Sequence, residues 1–212
     1  MLRIRPFHAL RPSGNRAALV SCPPAGFLCG CCDDDAGESY RKVLAAGDAL
    51  RARSLLAELV ERGALCEDPE PRLFVYRISR AGRRQVGLVA HVDRRDLAGD
   101  DREAPPWCEP TSAVFDDPRA VIADLTVCDM NERPIFHFNA GDGTTHSGWT
   151  VRDADRYCAA FERIEGRAEL LGPATSVGDG FVLAALFERS CLLETPPILR
   201  CGLFVPRAVL VP

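Results

Sequence analysis

The chain has 212 residues, 47% of them apolar, and a formal net charge of −4. That is enough apolar material to bury a real core in one domain, and the mildly acidic balance excludes a broad nucleic-acid-binding face, which needs a large excess of basic residues. No window approaches the ~18 uninterrupted apolar residues of a membrane span.

In chain order, Arg3 to Phe7 reads as a first strand and Ala18 to Cys22 as a second, stopped by Pro23-Pro24. Cys29 to Glu38 reads as a loop with an acidic run, Asp33-Asp34-Asp35. A helix starts after Asp48, its N-cap, and ends before Gly63, which fits the left-handed position there. Ala52, Leu55, Leu56, Leu59 and Val60 form its apolar stripe. Leu73 to Ile78 and Gln85 to Val92 read as a hairpin turning through Ser79 to Arg83. Arg94 to Pro110 is polar and Pro-rich and reads as loop, and Asp116-Asp117-Pro118 opens a helix to about Val127. Ile135 to Asn139 and Thr145 to Val151 make a second hairpin through Ala140-Gly-Asp-Gly143. Asp153 caps a helix with Tyr157, Phe161 and Ile164 on one face, ending at Gly166. Leu171 to Gly180 reads as a Gly/Pro loop, and Phe181 to Phe187 and Ile198 to Val205 read as buried strands. Hairpins mixed with helices, without repeats or a flexible linker, predict a single α+β domain over 1–212, with a mixed or antiparallel sheet and flanking helices.

The opening Met1 to His8 holds no apolar stretch of signal-peptide length, so the expected location is cytoplasmic, with neither a membrane nor a nucleic-acid partner. There a disulfide framework is not expected from the ten cysteines. Cys22, Cys29, Cys31 and Cys32 are the candidate zinc or redox set, because four thiolates complete a tetrahedron, although no Cys-x-x-Cys knuckle is present. The other six cysteines lie in apolar segments and read as core. Lys42 is the one lysine, so a lysine-dependent phosphate site or Schiff base has a single candidate.

Three stretches carry a family resemblance. They are Arg5-Pro-Phe-His-Ala-Leu-Arg-Pro12 followed by Val20 to Pro24; the helix ending at Gly63 with Arg72 to Arg77 and Gln85 to Val89; and Ile135 to Trp149 with Phe138, Asp142-Gly143, His146 and Trp149 in order. Phe181 to Phe187 and Leu192 to Val205 match more faintly. Together they resemble the family known as domain of unknown function 1015, itself similar to the ParB/sulfiredoxin-like group that includes free-serine kinases and nucleotide-binding partition proteins. The resemblance implies a ParB/sulfiredoxin-like fold and a nucleotide site built on an Asp-Gly-His-His-Arg turn. Gly lets backbone approach a phosphate there, the following helix offers free N–H groups, and His and Arg add donors and charge. Between Phe161 and Phe181 this chain has no such turn. Asp93 to Pro110 lacks the family's histidines, and Pro23-Pro24-Ala25-Gly26-Phe27 has lost a carboxylate.

The residual pocket would consist of Arg5, His8, Asp142, His146 and Trp149. An acid/base role for His146 needs a partner in hydrogen-bond reach, and on a strand His146 and Ser147 face opposite sides. His137, between Phe136 and Phe138, reads as a sheet residue, and His91 ends a strand. Gly178-Asp179-Gly180 reads either as an anion nest or as a tight turn. Arg3, Arg5 and Arg11 form either an anion patch beside His8 or a solvated surface. The leading expectation is a catalytically degenerate binding or scaffold protein without a cofactor, pairing with itself or with a complete paralogue of the family. The alternatives are a nucleotide-dependent small-molecule phosphotransferase and a cysteine-based metal or redox protein.

Overall fold

The structure is a computed structural model and describes residues 1–13, 16–20, 42–43, 45–98, 103–104, 111–115, 121–139, 143–171, 174–176, 179–189 and 203–210. Its elements in chain order are β1 (Ile4–Arg5), β2 (Ala9–Pro12), α1 (Ala17–Val20), α2 (Ala49–Glu61), β3 (Leu65–Glu67), β4 (Phe74–Arg80), β5 (Arg83–Asp93), β6 (Leu97–Ala98), β7 (Glu103–Ala104) and β8 (Thr111–Phe115). They continue with α3 (Val121–Met130), β9 (Phe136–Asn139), β10 (Thr145–Thr150), α4 (Ala154–Phe161), β11 (Ala168–Leu170), β12 (Ala174–Ser176), β13 (Phe181–Glu188) and β14 (Val205–Pro206). Among the described residues no helix is long and apolar enough to cross a membrane.

Among the described residues, eleven strands make one large sheet with the path β6-β11-β8-β13-β5-β4-β10-β9, to which β1, β7 and β12 attach. Most pairings are antiparallel, but β13 runs parallel to β8, β11 to β6 and β12 to β7. The sheet is therefore mixed, and the expected α+β class is observed. Its centre is the β4–β5 hairpin. Ala81 and Gly82, both at positive φ (48° and 78°), turn it in two residues, a geometry that matches the twist of paired strands. β1 extends the line of β4 along β5, with Arg5 opposite His91. The second hairpin pairs Phe136–Asn139 with Thr145–Thr150, and Gly143 has φ 81°; residues 140–142 lie outside the described residues.

Side chains alternate across the sheet, and both faces of its centre are buried. Val75, Leu88, Ala90, Trp149, Ala184 and Leu186 meet α3 and α4 on the first face. Phe74, Tyr76, Val89, Phe136, Leu183 and Phe187 meet Phe7 and Phe204 on the second. The small antiparallel sheet β14-β2-β3 bridges to a third core. Ala9 joins the second-face cluster while its neighbour Leu10 packs with Leu56 and Leu59 of α2, as strand alternation requires.

Two predicted caps are present, and the third, at Asp116-Asp117-Pro118, lies outside the described residues. The Asp48 side chain accepts from Arg51 N at 2.8 Å, and the Asp153 side chain from Arg156 N at 3.0 Å. Gly63 takes the left-handed conformation (φ 68°) that the end of α2 requires, whereas α4 ends earlier than expected, at Phe161 with Glu162 as its cap, and Gly166 (φ 104°) lies beyond it. Other expectations are corrected as well. Ala17–Val20 is helix, not the start of a strand; Ala and Leu favour helix, and Arg16 N donates to Ser13 O at 3.0 Å to begin the turn. The strand lies earlier, at Ala9–Pro12. The supposed loops 94–110 and 171–180 hold the short strands β6, β7 and β12, recruited by pairing to neighbours rather than by any periodicity of their own. Of the expected strand 198–205, Val205 is in β14 and 198–202 lie outside the described residues.

One buried tie joins the two helices of the first face. Tyr157 Oη donates to Asp129 Oδ2 at 2.5 Å, and Arg152 N donates to Asp129 Oδ1 at 3.1 Å. Burial and the Asp129 carboxylate push the Tyr157 hydroxyl's pKa upward, so it stays a donor. Tyr157→Phe leaves a buried carboxylate oxygen without that donor. We expect a loss of about 1–3 kcal/mol in urea unfolding; a change too small to measure would mean that the carboxylate is otherwise satisfied.

Candidate functional site

The structure separates the predicted pocket. Arg5 is on β1, where it forms an ion pair with Asp179 and lays its guanidinium 3.8 Å from the Phe181 ring centroid. His146 is on β10. Its Nδ1 is 2.6 Å from Tyr76 Oη, and its ring stacks on Phe138 at 4.8 Å. Pairing places His146 beside Ile78, and Ile78 beside Gln85, whereas Arg5 pairs with His91. Six residue steps along β5, from Gln85 to His91, therefore separate the two positions, about 20 Å at strand rise. Trp149 points to the opposite face from His146 and donates from Nε1 to Glu132 O at 2.9 Å. His8 lies between β1 and β2, with Nδ1 3.5 Å from Asp68 O. Asp142, the acidic run 33–35 and the quartet Cys22, Cys29, Cys31 and Cys32 lie outside the described residues.

The three N-terminal arginines do not form an anion patch, because each faces a carboxylate. Arg3 pairs with Asp93 and Asp96, Arg5 with Asp179, and Arg11 with Asp68. At the sheet end, hydrogen bonds from Arg95 hold the Asp93 carboxyl down at about 2, against the opposing effect of burial. Burial raises the Asp96 carboxyl, and Arg3's hydrogen bonds and charge outweigh it, leaving a net shift downward. Gly180 takes φ 82°, and Asp179 accepts from Phe181 N at 3.3 Å, so Asp179 and Gly180 turn the chain into β13, while Gly178 lies outside the described residues. Beneath Arg5, His91 is 8% exposed, stacks on Phe7 at 4.9 Å, and has no hydrogen-bond partner at Nε2.

A different polar group is assembled on the first face. His137 Nδ1 is 2.8 Å from Ser147 Oγ across the β9–β10 pair. Arg77, next across from Ser147 on β4, places its guanidinium 4.8 Å from the Trp149 ring centroid. One row further along are Asn139, Thr145, Ser79 and Arg84. The alternation Phe136-His137-Phe138 signals that His137 opposes the two rings, but its partners are fixed only by register.

No family model, curated protein or solved structure matches this chain.

Among the described residues, His, Cys, Asp and Glu do not gather in threes that could hold a metal ion. The described cysteines, Cys66, Cys128 and Cys158, are free thiols. Burial pushes the Cys66 and Cys158 thiols up in pKa, which disfavours thiolate chemistry. Cys128 is exposed on α3 rather than part of the expected core.

Proposed function

We propose that the chain is a binding or scaffold protein, a catalytically degenerate relative of the domain of unknown function 1015 family that associates with a second copy of itself or with a complete family member. The observation that carries this reading is the dispersal of the expected pocket: about 20 Å of strand lies between Arg5 and His146. Arg5 is neutralised by Asp179, and His146 packs among the rings of Tyr76 and Phe138. A phosphotransferase needs its donors and base converged within hydrogen-bond reach of one reacting group. The absence from the sequence of the Asp-Gly-His-His-Arg turn supports the same reading.

Two measurements test it. Incubated with magnesium and ATP, ADP or CTP, the purified chain should release no phosphate above buffer. Light scattering across a concentration series should show self-association, or added complete paralogue should co-elute with the chain. Phosphate release abolished by Arg5→Ala or His146→Ala in a still-folded protein would replace this reading with the phosphotransferase. A strict monomer that ignores the paralogue would remove the scaffold.

A further inference from the structure

On the first face of the large sheet, the core cluster that includes α3 gives way to polar side chains along β9, β10, β4 and β5. Ile122 and Leu125 of α3 pack with the Trp149–Val75–Leu88 row. The next row on that face is His137–Ser147–Arg77–Val86, and the one after is Asn139–Thr145–Ser79–Arg84. His137, Asn139 and Arg84 are exposed there, and Arg77 is half-buried.

The two arginines of this strip differ from those at the other end of the sheet. Arg3, Arg5 and Arg11 each have a carboxylate. Arg77 instead lies on the Trp149 ring, and its Nε is buried without a hydrogen-bond partner. Burial and the neighbouring charge of Arg84 both pull the Arg77 pKa down. Two cations held this way on adjacent strands repel each other, and a half-buried guanidinium with an unused N–H carries a desolvation cost. Both costs fall if an anion is present between them.

We propose that this strip is a binding site for a small phosphate-type oxyanion, held by the Arg77 and Arg84 guanidiniums with the His137 imidazole as a third donor. Arg84 is a diagonal neighbour of Arg77 on the same face, since Arg77 pairs with Val86 and Ser79 with Arg84, which is within reach for long side chains. The Trp149 ring centroid lies 4.8 Å from the Arg77 guanidinium carbon and supports it from one side. Ser147 is fully buried and is a positioning residue. When its hydroxyl donates to His137 Nδ1, the proton of a neutral ring stays on Nε2, the atom turned away from Ser147 and free to donate to the anion. A dianionic oxyanion matches the charge of two arginines and accepts from both forks. The site does not depend on the scaffold reading, and it requires no turnover.

The test uses the whole chain. Inorganic phosphate and sulfate should raise the melting temperature in a dose-dependent way that chloride at equal ionic strength does not reproduce. In a nitrogen-15 titration the Arg77 Nε–H resonance should move with phosphate. Arg84→Gln, at an exposed position, should weaken the apparent phosphate affinity about tenfold, and Arg77→Lys should do the same although it keeps the charge, because the fork is lost. An equal response to chloride overturns the proposal. So does a phosphate response unchanged in Arg84→Gln, or a static Arg77 Nε–H resonance in the unaltered protein, and neither result depends on whether Arg77→Lys folds.

Discussion

Gly87→Ala is expected to lower stability by about 2–3 kcal/mol, and the melting temperature by roughly 5–10 °C for a chain of this size. Gly87 lies mid-strand in β5, between Tyr76 of β4 and Phe187 of β13. A Cβ there would collide with the Phe187 ring and come 2.8 Å from the Leu186 carbonyl oxygen. The ring cannot simply swing aside, because Phe187 is fully buried among Phe74, Tyr76, Val89 and Ala185. The carbonyl belongs to the backbone of the neighbouring strand, so relief on that side requires the sheet itself to spread. Removing a glycine from a strand would ordinarily help by about 0.5–1 kcal/mol, which is why the net figure is smaller than the raw clash. Thermal unfolding followed by circular dichroism reads the effect, and a double-mutant cycle with Phe187→Leu assigns it. If the ring is the obstacle, the double variant loses less than the sum of the two single changes. Strict additivity would place the cost on the Leu186 carbonyl instead, and an unchanged melting point would contradict the packing described here.

The parts of this fold legible in the sequence are those set by near neighbours. Asp48 and Gly63 bracket one helix and Asp153 caps another, because capping chemistry acts within one turn of the chain, whereas the second helix ends at Phe161 rather than at Gly166. Both hairpins were readable because their strands and turns are contiguous. The parallel pairing of β13 with β8 and the short strands β6, β7 and β12 were not, since two or three residues carry no measurable period and owe their conformation to distant partners. The same limit governs the candidate site. Arg5, His8 and His146 resemble a set only as positions in a motif; register then assigns Arg5 and His146 to places six residues apart along β5. Conversely, Arg77 and Arg84 belong to one hairpin and His137 and Ser147 to the other, and the four form a group only once β10 is aligned with β4. No local pattern could have joined them.

Acid should destabilise the protein through His91 before the carboxylates are affected. Burial, and next the charge of Arg5, lower this imidazole's pKa from 6.5 to about 4 in the folded state, with Asp179 opposing only in part. The unfolded chain therefore binds a proton that the native state refuses throughout that interval, so stability falls as pH falls from about 6.5 to about 4 and is fully present above it. At about 1.4 kcal/mol per step of one in pKa, the loss by the lower limit is about 3 kcal/mol. The cause is structural. The ring is stacked on Phe7, Nε2 has no acceptor, and the Arg5–Asp179 pair lies over it, so a proton would add a second cation beside Arg5 with nothing new to bind it. Asp93 and Asp96, whose carboxyls are held down by Arg95 and Arg3, lose their own contribution at lower pH, as Asp93 passes toward about 2. Urea unfolding at a series of pH values between about 7.5 and 4 separates the two processes. His91→Phe keeps a flat ring for Phe7 and removes the titrating group, so its stability should be nearly level across the upper window while the unaltered protein declines. Parallel slopes in the two proteins would mean that His91 is hydrated in solution and that the Arg5–Asp179 cover is open.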